Sequence, residues 1–245
     1  MSKKVLIYDL TEPIQGTKTA TYDFNVGTGN LTIEPLASEA ELLASGSLEY
    51  LENQAIPTRT MEIGDGRAAL ALKADGGLKP GFRLPWAACM GETGWQIQLN
   101  PVVQSEITAR SGGGNVKIDL SGMAITRVLA DCGGGNMDLI LPAEAANLDA
   151  RAKSGGGNVS VELGKGMSGN SFVSATSGAG NVTISLPAGI AGLIHISTGM
   201  GKVIVDPQFS RLDKNTFRSE NYESAANKIE ITAKSGAGNV SVIIK

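Results

Sequence analysis

The sequence predicts an all-β protein, a single-stranded β-helix (β-solenoid) of about ten coils with 21–23-residue repeats. Three observations carry that prediction. The tetrapeptide Gly-x-Gly-Asn recurs, ending at Asn30, Asn115, Asn136, Asn158, Asn181 and Asn239, and Gly199-Met200-Gly201-Lys202 is a variant on the same beat. From Asn115 the intervals are 21, 22, 23 and 21 residues, then 37 to the last copy. Alternating apolar residues flank every copy, and the slots nearest the turn hold the same small residues each time. Weaker copies lie near Ser45-Gly46-Ser47, at Gly64-Asp65-Gly66-Arg67 and at Gly94-Trp95.

Taken in chain order, residues 1–245 form one domain and residues 1–20 read as an N-terminal cap. Each unit then has two arms. Eight residues ahead of the Asn (or Lys) stand Tyr22, Ile107, Val128, Ala150, Val173, Ile194 and Ile231. Six ahead stand Phe24, Ala109, Ala130, Ala152, Ala175, Ile196 and Ala233. Four ahead, after Val26 in the first unit, come Ser111, Cys132, Ser154, Ser177, Thr198 and Ser235. A period of two marks a half-buried strand, so these slots face inward, toward an interior that narrows at the turn. After the Asn the alternation resumes, as in Val116, Ile118 and Leu120 or Val159, Val161 and Leu163. Pro142, Pro187 and Pro207 close such strands, because proline cannot donate to a ladder. The glycines are expected to supply positive φ at the corner.

Identical slots recurring at one interval imply that identical side chains lie over one another, each coil touching only its neighbours. The alternative is an antiparallel β-sandwich with Gly-x-Gly-Asn as hairpin turns. A meander gives no reason for every copy to keep the same small residue at the same depth. Two irregular insertions, 73–94 and 207–228, interrupt the beat. They hold Phe82, Trp86, Phe209, Phe217 and Tyr222, five of the eleven aromatics, and read as caps or as a candidate partner surface.

Composition narrows the function classes. The formal net charge of −3 with scattered Lys and Arg lacks the basic face that nucleic acid needs. No run of 18 apolar residues is present, so no membrane span is expected. Two cysteines, Cys89 and Cys132, are too few for a disulfide framework; the expected location is cytoplasmic. The glycine turns are followed by strands and not by helices, which excludes phosphate-loop and dinucleotide-loop readings. The single histidine, His195, flanked by inward Ile194 and Ile196, should point outward, and one histidine cannot build a multi-His metal site. Asp119, Asp131, Asp138 and Asp149 occupy different positions in their repeats, so no paired carboxylates of the glycosidase type are visible. No catalytic residue, metal ligand or cofactor is expected. The recurring Asn30, Asn115, Asn136, Asn158, Asn181 and Asn239 read as a structural ladder of stacked amides bonded to one another and to corner backbone groups.

The chain resembles the toast-rack family of bacterial proteins, which includes the C-terminal domain of the LiaF-like cell-envelope stress regulators and related candidate adhesins. The residues that carry the likeness are Tyr22 to Ile33, Trp95 to Pro101, the successive Ser-Gly-Gly-Gly-Asn and Ser-Gly-Ala-Gly-Asn turns, and the Tyr222 stretch before the last turn. The resemblance implies a β-solenoid serving in envelope-stress sensing or scaffolding, and it supplies no catalytic residues. The expected function is therefore a non-catalytic structural or interaction module, with a small-molecule or glycan-binding, adhesin-like module as the alternative. Because Val240 to Ile244 ends the sequence, that strand is expected to leave a solenoid end open for a homo-oligomer or a protein partner.

Overall fold

The structure, a computed structural model, describes residues 4–37, 41–52, 54–74 and 93–245. The chain begins with β1 (Val5–Pro13), β2 (Thr19–Asn25), β3 (Asn30–Pro35), β4 (Leu42–Leu51), β5 (Thr58–Gly64), β6 (Arg67–Lys73) and β7 (Gly94–Leu99). The regular part holds β8 (Gln104–Ser111), β9 (Val116–Asp119), β10 (Ile125–Cys132), β11 (Met137–Ile140), β12 (Glu144–Ala146), β13 (Asp149–Ser154), β14 (Val159–Glu162), β15 (Gly166–Ser168), β16 (Asn170–Ser177) and β17 (Val182–Leu186). It closes with β18 (Gly192–Thr198), β19 (Val203–Val205), β20 (Phe209–Arg211), β21 (Thr216–Ser219), β22 (Lys228–Ser235) and β23 (Val240–Ile244). No helix occurs among the described residues.

Two large sheets enclose the core. One runs β1-β4-β7-β3-β9-β11-β14-β17-β23-β19, and the other β20-β21-β18-β22-β16-β13-β10-β8-β2-β6-β5. Inside both sheets the pairing is parallel and in register. Tyr22 aligns with Ile107, Ile107 with Val128, Val128 with Ala150, and Ala150 with Val173. On the other sheet Met137 lies between Val116 and Val159. Each arm before a turn thus lies in one sheet and each arm after it in the other, and successive repeats sit directly over one another. The inward residues are sealed: Val128, Ala150, Val173, Ile184 and Val240 are all 0% exposed. Small and β-branched side chains suit a thin pleated core, where each Val or Ile removed from water contributes about 1.5–3 kcal/mol.

Stacking order departs from chain order at both ends. The pair β6/β7 lies outside β2/β3, which therefore sits between it and β8/β9. The pair β22/β23 inserts between β16/β17 and β18/β19. The expectation that the terminal strand closes the stack is thus corrected: β23 has β17 on one side and β19 on the other. Among the described residues eight layers have an arm in each sheet, fewer than the ten expected, because two of the weaker copies are something else. Gly64 to Arg67 is the turn of the antiparallel β5–β6 hairpin, with Asp65 at φ 52 and Gly66 at φ 71. Ser45-Gly46-Ser47 lies within β4, an antiparallel strand. Antiparallel strands flank the stack, β1 and β4 on one sheet, β5 and the β20–β21 hairpin on the other.

Candidate functional site: the corner ladders and the two ends

The corners explain why the repeat needs its residues. A Cβ added at Gly133, Gly155, Gly178 or Gly236 would meet the carbonyl oxygen of the first corner glycine in the layer below at under 3 Å. At Gly135, Gly157, Gly180 and Gly238 it would meet both the carbonyl of the second glycine below and the backbone nitrogen of the Asn that follows. The middle residue is free, and Gly134 has nothing within 4 Å of its added Cβ. Among the described glycines of the stacked Gly-x-Gly corners only Gly27 has a positive φ. The expectation that positive φ selects glycine there is corrected: close approach of stacked backbones selects it.

Two hydrogen-bond ladders run along this corner. Backbone N–H groups of Asn115, Asn136, Asn158, Asn181 and Asn239 donate to Oδ1 of Asn30, Asn115, Asn136, Asn158 and Asn181, at 2.8 to 3.0 Å. Lys202 N–H closes the series on Asn239 Oδ1 at 2.9 Å. The acceptor is the side chain and the donor is the backbone of the next layer, so the amides do not pair with each other. Inside the corner, Ser154 Oγ donates to Gly135 O at 2.8 Å and accepts from Gly157 N–H at 2.9 Å. Ser111, Ser177 and Ser235 repeat this pattern, and Thr198 makes the donated bond. Cys132 Sγ takes the same place, bonded to Gly114 O and Gly135 N. These buried backbone groups therefore all have partners.

The hydroxyl ladder is absent from the sequence reading, which explained its slot by size alone. Its signal is that Ser fills the slot where Ala fills the one before it. A further Asn pair was also missed. At the opposite corner Asn147 Oδ1 accepts from Asn170 N–H at 3.0 Å, and Asn227 Oδ1 from Gly169 N–H at 2.9 Å. Asn147 and Asn170 lie one repeat apart in sequence.

The aromatic candidates do not form one surface. Phe209 is buried, 4% exposed, beneath the β20–β21 hairpin, which corrects its place among partner-facing residues. Phe217 is half-buried beside Ile194, with the Arg211 guanidinium over its ring at 5.7 Å. Tyr222 carries Lys228 Nζ at 5.2 Å, and burial, with Glu230 and Glu223 nearby, raises its pKa. Phe82, Trp86 and Cys89 lie outside the described residues.

His195 points outward, with Nε2 3.7 Å from Glu230 Oε1. Asp149 is bonded to Arg151, and Asp119 accepts from Ser121. No metal-binding cluster of His, Cys, Asp and Glu occurs among the described residues. One open cleft of ≈ 300 Å³ lies between Lys165, Met167, Ile190 and Asn221; it holds a single charged side chain.

The repeat grammar and the layered sheets both point to one family. The model described as the N-terminal domain of toast_rack, DUF2154, matches residues 2–162. The chain belongs to the toast-rack family. Among solved structures, a candidate cell adhesion protein from Clostridium sporogenes is 23% identical to this toast-rack chain. It has a TM-score of 0.65 with 100% of both chains covered, and so shares the fold. A candidate adhesin from Bacteroides fragilis is 12% identical at a TM-score of 0.38, covering 98% of each chain. A comparison with curated proteins gave no match.

Proposed function

We propose that this toast-rack chain is a non-catalytic β-solenoid scaffold, an interaction module in bacterial envelope-stress sensing or scaffolding that acts from the cytoplasmic side. One observation carries the reading. The polar side chains that recur along the stack, the corner Asn and the Ser, Thr or Cys behind it, are engaged in bonds between layers. They build the stack and leave long flat faces and two ends as the surfaces on offer. Loops on such a rigid frame commonly carry recognition. A glycan-binding, adhesin-like module is the second reading, favoured by the fold shared with the Clostridium sporogenes protein.

Two measurements on the purified chain separate them. Co-sedimentation with inner-membrane vesicles and with their extracted protein fraction should retain the chain through a protein component. Thermal denaturation against a panel of envelope saccharides should leave the midpoint unchanged. A saccharide that raises the midpoint in proportion to its concentration overturns the first reading in favour of the second.

A further inference from the structure

The ends of the stack differ from its flanks in what they expose. Among the described residues nine large hydrophobic side chains are exposed: Val5, Ile7, Ile56, Ile63, Val102, Met200, Val203, Ile204 and Leu212. The first four belong to the end built from β1, β4 and β5, and the last four to the end at β19 and the β20–β21 hairpin. Only Val102 lies between. A soluble surface scatters such residues singly, so their concentration at both ends marks contact surfaces.

The two ends also match. β1 is antiparallel to β4, and β4 is antiparallel to β7, so β1 runs parallel to β7. Since β7 is parallel to the strands that follow it to β19, both edges of this sheet run in one direction. The outer edge of β19 is open among the described residues. Val240 N–H bonds to Lys202 O and Asp206 N–H to Val242 O, so by alternation the backbone groups of Val203 and Val205 face away from β23. Such an edge is a template for another strand.

Charge agrees with geometry. Residues 4–13, 41–52 and 54–66 carry seven carboxylates against Lys4 and Arg59, whereas residues 199–218 carry Lys202, Arg211, Lys214 and Arg218 against Asp206 and Asp213. We propose that copies of this chain associate head to tail, β19 of one pairing in parallel with β1 of the next. The inference rests on the interaction-module reading and names its partner as a second copy. Carrying the register across the junction puts Lys202 beside Ile7 and Ile204 beside Asp9. The Lys202 ammonium then lies diagonal to the Asp9 carboxylate, within reach for a long side chain. The contact is heterologous: two different surfaces meet, so association continues and does not close at a dimer.

The test uses the full chain and two variants at exposed side chains. Ile7→Lys sets a cation against Lys202 and blocks one end; Ile204→Asp sets an anion against Asp9 and blocks the other. Sedimentation velocity of the unchanged protein should show mass rising with concentration and falling with salt. Each variant alone should associate at least about tenfold more weakly, with circular dichroism unchanged. An equimolar mixture of the two variants should form dimers and nothing larger, because one free end of each kind remains. An unchanged protein that stays monomeric at every concentration overturns the inference, as does a dimer lost in Ile204→Asp but kept in Ile7→Lys, which would be a symmetric β19 contact. Either result leaves the interaction-module reading to the vesicle and saccharide measurements, which do not depend on self-association.

Discussion

Adjacent glycines in one corner should respond oppositely to alanine. Gly134→Ala places its methyl where nothing lies within 4 Å, while Gly135→Ala places it under 3 Å from Gly114 O, Gly114 C and Asn115 N. All three of those atoms are backbone, so no side chain can rotate out of the way. The layers must separate locally by roughly 1 Å, and overpacking of that kind costs about 1–3 kcal/mol. The same movement lengthens the bond from Asn136 N–H to Asn115 Oδ1, and losing it adds about 1 kcal/mol. The expected loss for Gly135→Ala is therefore roughly 2–4 kcal/mol. Gly134→Ala should be neutral or stabilising by up to about 1 kcal/mol, through a less flexible unfolded chain. Urea denaturation followed by far-ultraviolet circular dichroism reads both, and comparing midpoints guards against incomplete cooperativity in a repeat array. If the two variants fall within about 0.5 kcal/mol of each other, close backbone approach does not select these glycines.

Other substitutions test the ladders and the core. Asn158→Ala removes the acceptor for Asn181 N–H at an exposed corner where water can partly replace it, so the cost should be about 1 kcal/mol; hydrogen exchange should quicken at Asn181 first. Cys132→Ser restores the hydroxyl found in the other layers and should keep stability within about 1 kcal/mol. Cys132→Ala leaves Gly135 N–H and Gly114 O without their partner and should cost about 1–3 kcal/mol by the same denaturation assay. Tyr22 is fully buried, and burial pushes its pKa well above the ordinary 10.0. Below pH 10 the phenol is neutral in folded and unfolded chains alike. Above it the unfolded chain ionises first, so stability should fall by about 1.4 kcal/mol per pH unit until the folded phenol also ionises. Tyr22→Phe should flatten that alkaline slope, measured by urea midpoints between pH 9 and 11 in steps of about half a unit.

What the sequence made legible was the content of a layer. Val128, Ala130 and Cys132 align with Ala150, Ala152 and Ser154, as equal spacing from the turn requires, because an inward slot has one size and one polarity at each depth. The order of layers was not legible for the same reason. Ile231, Ala233 and Ser235 fit beside Val173, Ala175 and Ser177 as well as Ile194, Ile196 and Thr198 would. Interchangeable slots carry no information about which repeat stacks on which. The 37-residue gap before Asn239 was the visible trace, since the chain needs that length to leave the end and return. The corner carried a second limit: a glycine chosen for close approach and one chosen for positive φ look alike in a sequence. Asn147 shows the reverse case, a left-handed residue at φ 52 that is not glycine.

Lys202 was visible as the odd member of the Asn series, and the geometry shows why an odd member belongs there. The corner ladder has a direction: each Asn supplies an acceptor to the backbone of the next layer outward. The last layer has no successor among the described residues, so its side chain needs no acceptor, and Lys202 only donates its N–H to Asn239. At the other end the requirement inverts. The layer that begins at Gly94 takes its acceptor from outside the repeat, and Glu49 Oε2 meets Gly94 N–H at 2.9 Å. A carboxylate opens this corner and a backbone N–H closes it. The ladder is therefore directional, and both of its terminal N–H groups are satisfied by acceptors of the same chain.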